Sequence, residues 1–225
     1  MQQEKLKKDN KTDNYKRLIS NEIISTLINL SGRQRMLSQR IVLNAVLSTQ
    51  GQPEKLLIAE EALHLFSNTH TLLVQGDHIH PGIFFKELHE AFYGQSKCDA
   101  FIKAFINQAE QVLAACKSKS PDLNNLILKL GEMATSIVSL LNDVTLVYEN
   151  ESKRRTAARY KQQLALMTDI QKIAKEARIV SFNAQVIAAR AGESGREFSV
   201  VAGVLTDITE KMDKLAVAAM SSTEA

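Results

Sequence analysis

Apolar residues return every three or four positions along nearly the whole chain, the spacing that gathers them on one side of an α-helix. A polar lead-in, "MQQEKLKKDNKTDNYKR", comes before the pattern begins. A first helix then covers about residues 15 to 50 and ends near "TQGQP". Pro53 opens a second, "PEKLLIAEEALHLFSNTHTLLVQ", since a proline at the first helical position forgoes no hydrogen bond. The loop "GDHIHPG" stops it, a shorter helix "IFFKELHEAFYG" follows, and another runs through "KCDAFIKAFINQAEQVLAACK". From Pro121 the helical spacing persists to about Arg190, longer than a helix confined to a globular bundle. This predicts an arm that leaves the bundle, with "ENESKRRTAARYKQQ" as its exposed junction. Leu164, Met167, Ile170, Ala174, Ala177, Ser181 and Ala184 then form a heptad seam. "AGESG" breaks the arm, and "REFSVVAGVLTDITEKMDKLAVAAM" folds back along it. The expected fold is all-α: an antiparallel helical bundle over residues 1–150, continuing into a coiled-coil helical hairpin over 151–225.

The first helix carries two apolar stripes. Ile23, Leu27, Leu30, Gln34, Leu37 and Ile41 share one face; Ile28, Gly32, Met36, Arg40, Leu43 and Leu47 lie nearly opposite. Such a helix must be covered on both sides, and the simplest second cover is the same helix of another subunit across a two-fold axis. Gly32 would permit close backbone approach there. Arg40 interrupts the second stripe. In a symmetric seam it would face its own copy, and an unpaired buried charge costs several kcal/mol, so an anion held between the two guanidiniums would relieve both. Alternatively the arginine runs past its apolar neighbours into water. Spacing leaves both readings open, and it leaves open whether Gln34, polar on the core stripe, meets a ligand or a buried polar partner.

Composition agrees with helices. There are three prolines, nine glycines and no tryptophan in 225 residues. The net charge of +3 is mild, and beyond the lead-in acids interleave the bases, so no nucleic-acid stripe is expected. No unbroken apolar run of about eighteen residues marks a membrane span, and the lead-in lacks the apolar middle of a secretory signal. A cytoplasmic location is the expectation, with Cys98 and Cys116 reduced and packed in helices. Neither a phosphate-cradling loop nor a nucleophile elbow occurs, so no enzyme, catalytic residue or cofactor is expected. His78, His80 and Asp77 in the "GDHIHPG" loop are read as solvated rather than as a metal site. His64, His70 and His89 are expected at interfaces, and Met133, Met167 and Met212 as seam fillers.

"INLSGRQRMLSQRI" resembles the box that opens the sensor domain of the type IV pilus chemoreceptor (PilJ-type) and nitrate-sensor histidine kinase family, through Gly32, Arg35-Met36, Ser38 and Arg40. The resemblance implies a small oxyanion, nitrate first, held at a dimer seam by Arg40 from both subunits, with Gly32 lining the site and Arg35 supporting it. Members of that family usually project this domain between two spanning helices. "VSFNAQVIAARAGESGREFSVVA" is similar to the hairpin tip of methyl-accepting chemotaxis receptors, in register at Asn183, Ala188 to Glu193, Gly195-Arg196, Phe198 and Val200 to Ala202. That likeness implies contacts with chemotaxis receptors, a coupling protein or a histidine kinase through Asn183, Arg190, Glu193 and Val201. Ile187 and Gly203-Val204 replace acidic residues of the family pattern, and the long returning arm with its methylation segments is missing. Together the two likenesses imply a homodimeric, chemoreceptor-like signalling protein that binds a small anion. The competing reading is a ligand-free structural adaptor that inserts its hairpin into receptor or kinase assemblies.

Overall fold

A computed structural model describes residues 19–221. The polar lead-in lies outside the described residues. The chain divides into two compact units, Met1–Lys153 and Arg154–Ala225.

In the first unit α1 spans Asn21–Thr49, α2 Lys55–Gln75, α3 Lys86–Tyr93 and α4 Cys98–Ser118, while α5 runs Leu123–Arg190 and contributes its first part. α1 starts later than its apolar spacing suggests because Ser20 caps it, its hydroxyl accepting a bond from the Ile23 N–H at 3.2 Å. Pro53 and Pro121 sit in turns just before α2 and α5 rather than inside them. The unit is closed by the anticipated stripe: Leu27, Leu37 and Ile41 of α1 are buried with Phe66 and Leu73 of α2, Leu88 and Phe92 of α3, Ile102 and Phe105 of α4, and Ile137, Leu141 and Tyr148 of α5. Each such side chain contributes about 1.5–3 kcal/mol on leaving water. Phe66 and Phe105 meet at a centroid distance of 5.5 Å and tie α2 to α4.

α1 also meets α5 through a polar ladder. Ser31 hydrogen-bonds Thr145 at 2.8 Å, Arg35 donates to Asn142, and Gln39 donates to the Ala134 carbonyl at 3.2 Å. Residue numbers rise on one helix as they fall on the other, so the two run antiparallel. Thr145 gives its own proton to the Leu141 carbonyl at 2.7 Å, so Ser31 must be the donor of that pair.

α5 is long and apolar enough over an eighteen-residue window to cross a membrane by length and composition, which the search for an unbroken apolar run did not anticipate. The window tolerates polar residues, and 33% of it is buried inside the structure.

In the second unit, the remainder of α5 turns through a 3-10 helix, Gly192–Gly195, into α6, Arg196–Ser221. Gly192 has φ +61, which favours glycine. At Gly195 an added β-carbon would lie 2.1 Å from the Ala188 carbonyl oxygen, so the reversal closes only because that position lacks one. The expected seam forms: Ala174 and Ser181 are buried, and Leu164, Met167, Ile170, Ala177 and Ala184 are half-buried. Facing them on α6, Ala202, Thr209 and Ala216 are buried.

Candidate functional site

α1 presents its two stripes differently. The first is buried, and Gln34 within it is 0% exposed, its amide nitrogen donating to the Phe66 carbonyl at 3.0 Å. Gln34 is therefore a buried polar partner of α2. On the second stripe Ile28, Gly32 and Leu47 are half-buried, whereas Met36 at 55%, Leu43 at 58% and Arg40 between them are exposed. Among the described residues no carboxylate pairs with the Arg40 guanidinium. In the single chain this cation sits on an open helix face between two large apolar side chains.

Arg35 is placed otherwise. Its guanidinium curls back one turn, its Nε 3.5 Å from the Gly32 carbonyl oxygen and its Nη1 bonded to Asn142 on α5. Nη2 lies 3.3 Å from the point where a β-carbon on Gly32 would sit. Within one chain, then, the space left by Gly32 is occupied by Arg35, and a facing helix would meet guanidinium there as well as backbone. These two cations of α1 thus differ: Arg35 is anchored to Asn142 on the side that meets α5, and Arg40 has no partner among the described residues. Asn142, the anchor, carried no sequence signal, because its partner stands 107 positions away.

A second polar group was misjudged from sequence. His70 is not an interface residue: it is 4% exposed, inside the unit, with Nε2 2.9 Å from Asp99 Oδ1. The signal was available, since His70 continues the buried α2 stripe of Ala59, Leu63, Phe66 and Leu73. Asp99 also accepts from Lys103 Nζ at 2.8 Å. Burial pushes the His70 pKa down against the opposing pull of Asp99. Burial works to raise the Asp99 pKa, yet hydrogen bonds from Lys103 and His70 outweigh it and hold the carboxylate low. The neighbouring Cys98 thiol is pushed up to about 12 by burial first and by Asp99 and Asp143 next, which leaves it unreactive. Cys98 and Cys116 are both free. His64 contacts Asn68 at 2.9 Å on the surface, and His89 stacks on Tyr93 at 5.1 Å.

The "GDHIHPG" loop holds itself. The Asp77 carboxylate accepts from the Ile79 and His80 backbone N–H groups at 2.7 and 2.6 Å and meets His80 Nδ1 at 3.0 Å. Those two backbone donors, His80 first, bring its pKa down to about 2. Among the described residues no group of three His, Cys, Asp or Glu side chains stands ready to hold a metal.

The hairpin is apolar on the outside. Toward the turn its seam is built from alanine, serine and threonine: Ser181 donates to the Ala202 carbonyl and sits 2.7 Å from the Thr206 hydroxyl, which Gln185 also reaches at 3.3 Å. Phe182, Ile187, Phe198, Val200, Val201 and Val204 all face solvent. Asn183, Arg190 and Glu193 are exposed around the same turn, and Val201 is 64% exposed. Among the described residues neither Arg190 nor Glu193 has an ion-pair partner. Ile187 and Val204, 64% and 53% exposed, belong to this apolar tip.

The model of one protein family, the N-terminal region of type IV pili methyl-accepting chemotaxis transducers, matches residues 19–83. The matched stretch contains α1, with Gly32, Arg35 and Arg40, and all of α2. It connects this part of the chain with chemotaxis-type transducer signalling. No curated protein and no solved structure matches the chain significantly.

Proposed function

We propose that the chain is a dimeric chemotaxis-type transducer that holds a small oxyanion, nitrate being the first candidate, between Arg40 of one subunit and its symmetry mate. The observation that carries this reading is the strip on α1: a guanidinium without a partner among the described residues, flanked by exposed Met36 and Leu43, on the face opposite the buried stripe. Covering Met36 and Leu43 with the same face of a second chain removes apolar area from water and desolvates two like charges at once. The first effect favours association, the second opposes it, and a bound anion reverses the sign of the second. Anion affinity and dimer affinity are then one equilibrium, as signalling through a binding event requires. Arg35, anchored to Asn142, supplies a second cation on the same helix. The family match covers this helix and supports the transducer part of the reading.

The hairpin is the output in this proposal. Its outward apolar residues call for a cover, and a second copy supplies one of equal length and matching pattern. The tip around Asn183, Arg190, Glu193 and Val201 then contacts receptors, a coupling protein or a histidine kinase. Isothermal titration of the full chain with nitrate tests the sensing half. One anion per two chains, lost in Arg40→Ala while the fold persists, supports it. Unchanged heats in Arg40→Ala reject it, and a protein that binds a coupling protein yet shows no anion-dependent melting shift is the ligand-free adaptor instead.

A further inference from the structure

Two side chains in the core of the first unit end in acceptors with no partner among the described residues. Gln34 uses its amide nitrogen on the Phe66 carbonyl, which turns its Oε1 the other way, and that oxygen is unbonded. His70 uses Nε2 on the ionised Asp99 carboxylate, so in the neutral ring Nε2 carries the hydrogen and Nδ1 the lone pair; Nδ1 is unbonded too. Both residues are more than nine-tenths buried. They are also neighbours. The Phe66 carbonyl is the one that residue 70's own backbone N–H uses in the α-helical ladder, so the Gln34 amide lies against the turn of α2 that His70 completes. Side chains on a helix lean toward its N-terminus, and α1 and α2 run in opposite directions, so the amide and the imidazole lean toward each other.

In the neutral state both free atoms are acceptors, and no direct bond can close between them. A proton changes the chemistry. The imidazolium donates from both nitrogens, Nε2–H to Asp99 and Nδ1–H toward the Gln34 oxygen, and both buried acceptors gain a partner. We propose that Gln34 and His70 form a proton-binding joint between α1 and α2, open when the ring is neutral and bonded when it is charged. Among the described residues His70 meets Asp99 of α4, which Lys103 shares, and the Phe92 ring of α3 at a centroid distance of 6.0 Å, while Gln34 of α1 bonds the turn that His70 completes. Asp143 of α5 acts on Cys98 next to Asp99. Asp99 is the one anion in contact, and Lys103 already shares it, so the ring stays neutral until the medium turns acidic. Burial, which lowers the His70 pKa, fits that order of events. The joint reaches the helix that carries Arg40, and it stands whether or not Arg40 holds an anion.

The test is a pH titration of the histidine-labelled full chain by NMR. His70 should start as the neutral tautomer protonated at Nε2 and titrate below 6.5. Below its midpoint a protected Nδ1–H resonance should show a through-space contact to the Gln34 side chain. In Gln34→Leu the midpoint should fall by about one pH unit, because the charged form loses an acceptor. An unchanged midpoint in that variant overturns the proposal. So does a wild-type Nδ1–H without contact to Gln34, which decides the matter even if the variant does not fold.

Discussion

The Arg35 guanidinium lies over the Gly32 backbone, its Nη2 3.3 Å from the place a β-carbon would take. A residue expected to let two subunits approach thus also seats a side chain of its own helix, three positions further on. Glycine in mid-helix costs about 1 kcal/mol relative to alanine, so what it seats must offset that loss.

Gly32→Ala separates the two roles. The methyl group needs the guanidinium tip to give by a few tenths of an ångström, which a flexible side chain allows, and the helix gains propensity. The melting temperature of dilute protein should rise by about 2 °C. Self-association, measured by sedimentation across a concentration series, should weaken, because the methyl and the displaced guanidinium both intrude on the strip. Unchanged association would remove Gly32 from the contact.

Acid should loosen the first unit in two steps. The His70 pKa is lowered on folding, so between its folded value and the ordinary 6.5 the unfolded chain binds the extra proton. Stability therefore declines as pH falls through that window and levels off below it. Asp99, also lowered, adds stability that is present above its ordinary range near 4 and lost below it. Denaturant midpoints from pH 8 to pH 3 should show both declines; His70→Leu should abolish the upper one and shrink the lower, because Asp99 then keeps only Lys103.

Tyr148 is fully buried, and its hydroxyl has no partner among the described residues. Burial alone drives its pKa above the ordinary phenol value. Removing an unbonded buried hydroxyl without changing the shape of the ring should leave stability unchanged or raise it by about 1 kcal/mol. Chemical denaturation of Tyr148→Phe checks this; a loss of more than 1 kcal/mol would mean that the hydroxyl is bonded in solution.

Gly195→Ala should cost the hairpin more than any surface change. The new carbon would sit 2.1 Å from the Ala188 carbonyl oxygen, and backbone rather than a movable side chain must retreat. A loss of about 2–3 kcal/mol is expected. Hydrogen exchange should show it as faster exchange on both sides of the turn, with the first unit unaffected.

The helices and the seam were legible because a single period writes both. Leu27, Leu37 and Ile41 announce a buried face wherever they recur by threes and fours, and Ala174 and Ser181 mark a seam in the same way. Helix starts were less legible, since Ser20 and the turns after Pro53 and Pro121 act through local bonds that periodicity does not carry. The strip on α1 could be seen as a second stripe holding a cation. Partners of that strip could not, because Asn142 reaches Arg35 only after the chain has turned back on itself. For His70 the reason is the opposite: its type suggests an interface, while its position on the stripe places it in the core. The outward bulk of the hairpin was legible only in part, since spacing tells which residues face the seam and not how little those residues fill it.

Toward its turn a seam of alanines, serine and threonine gives the hairpin a snug fit but slight adhesion, for the methyls inside it displace far less water than the rings and branches outside would. Cohesion must then be borrowed from whatever molecule lies against that outer surface. Dilution away from such a companion would act on this unit much as urea does, and its melting point becomes a gauge of the company it keeps.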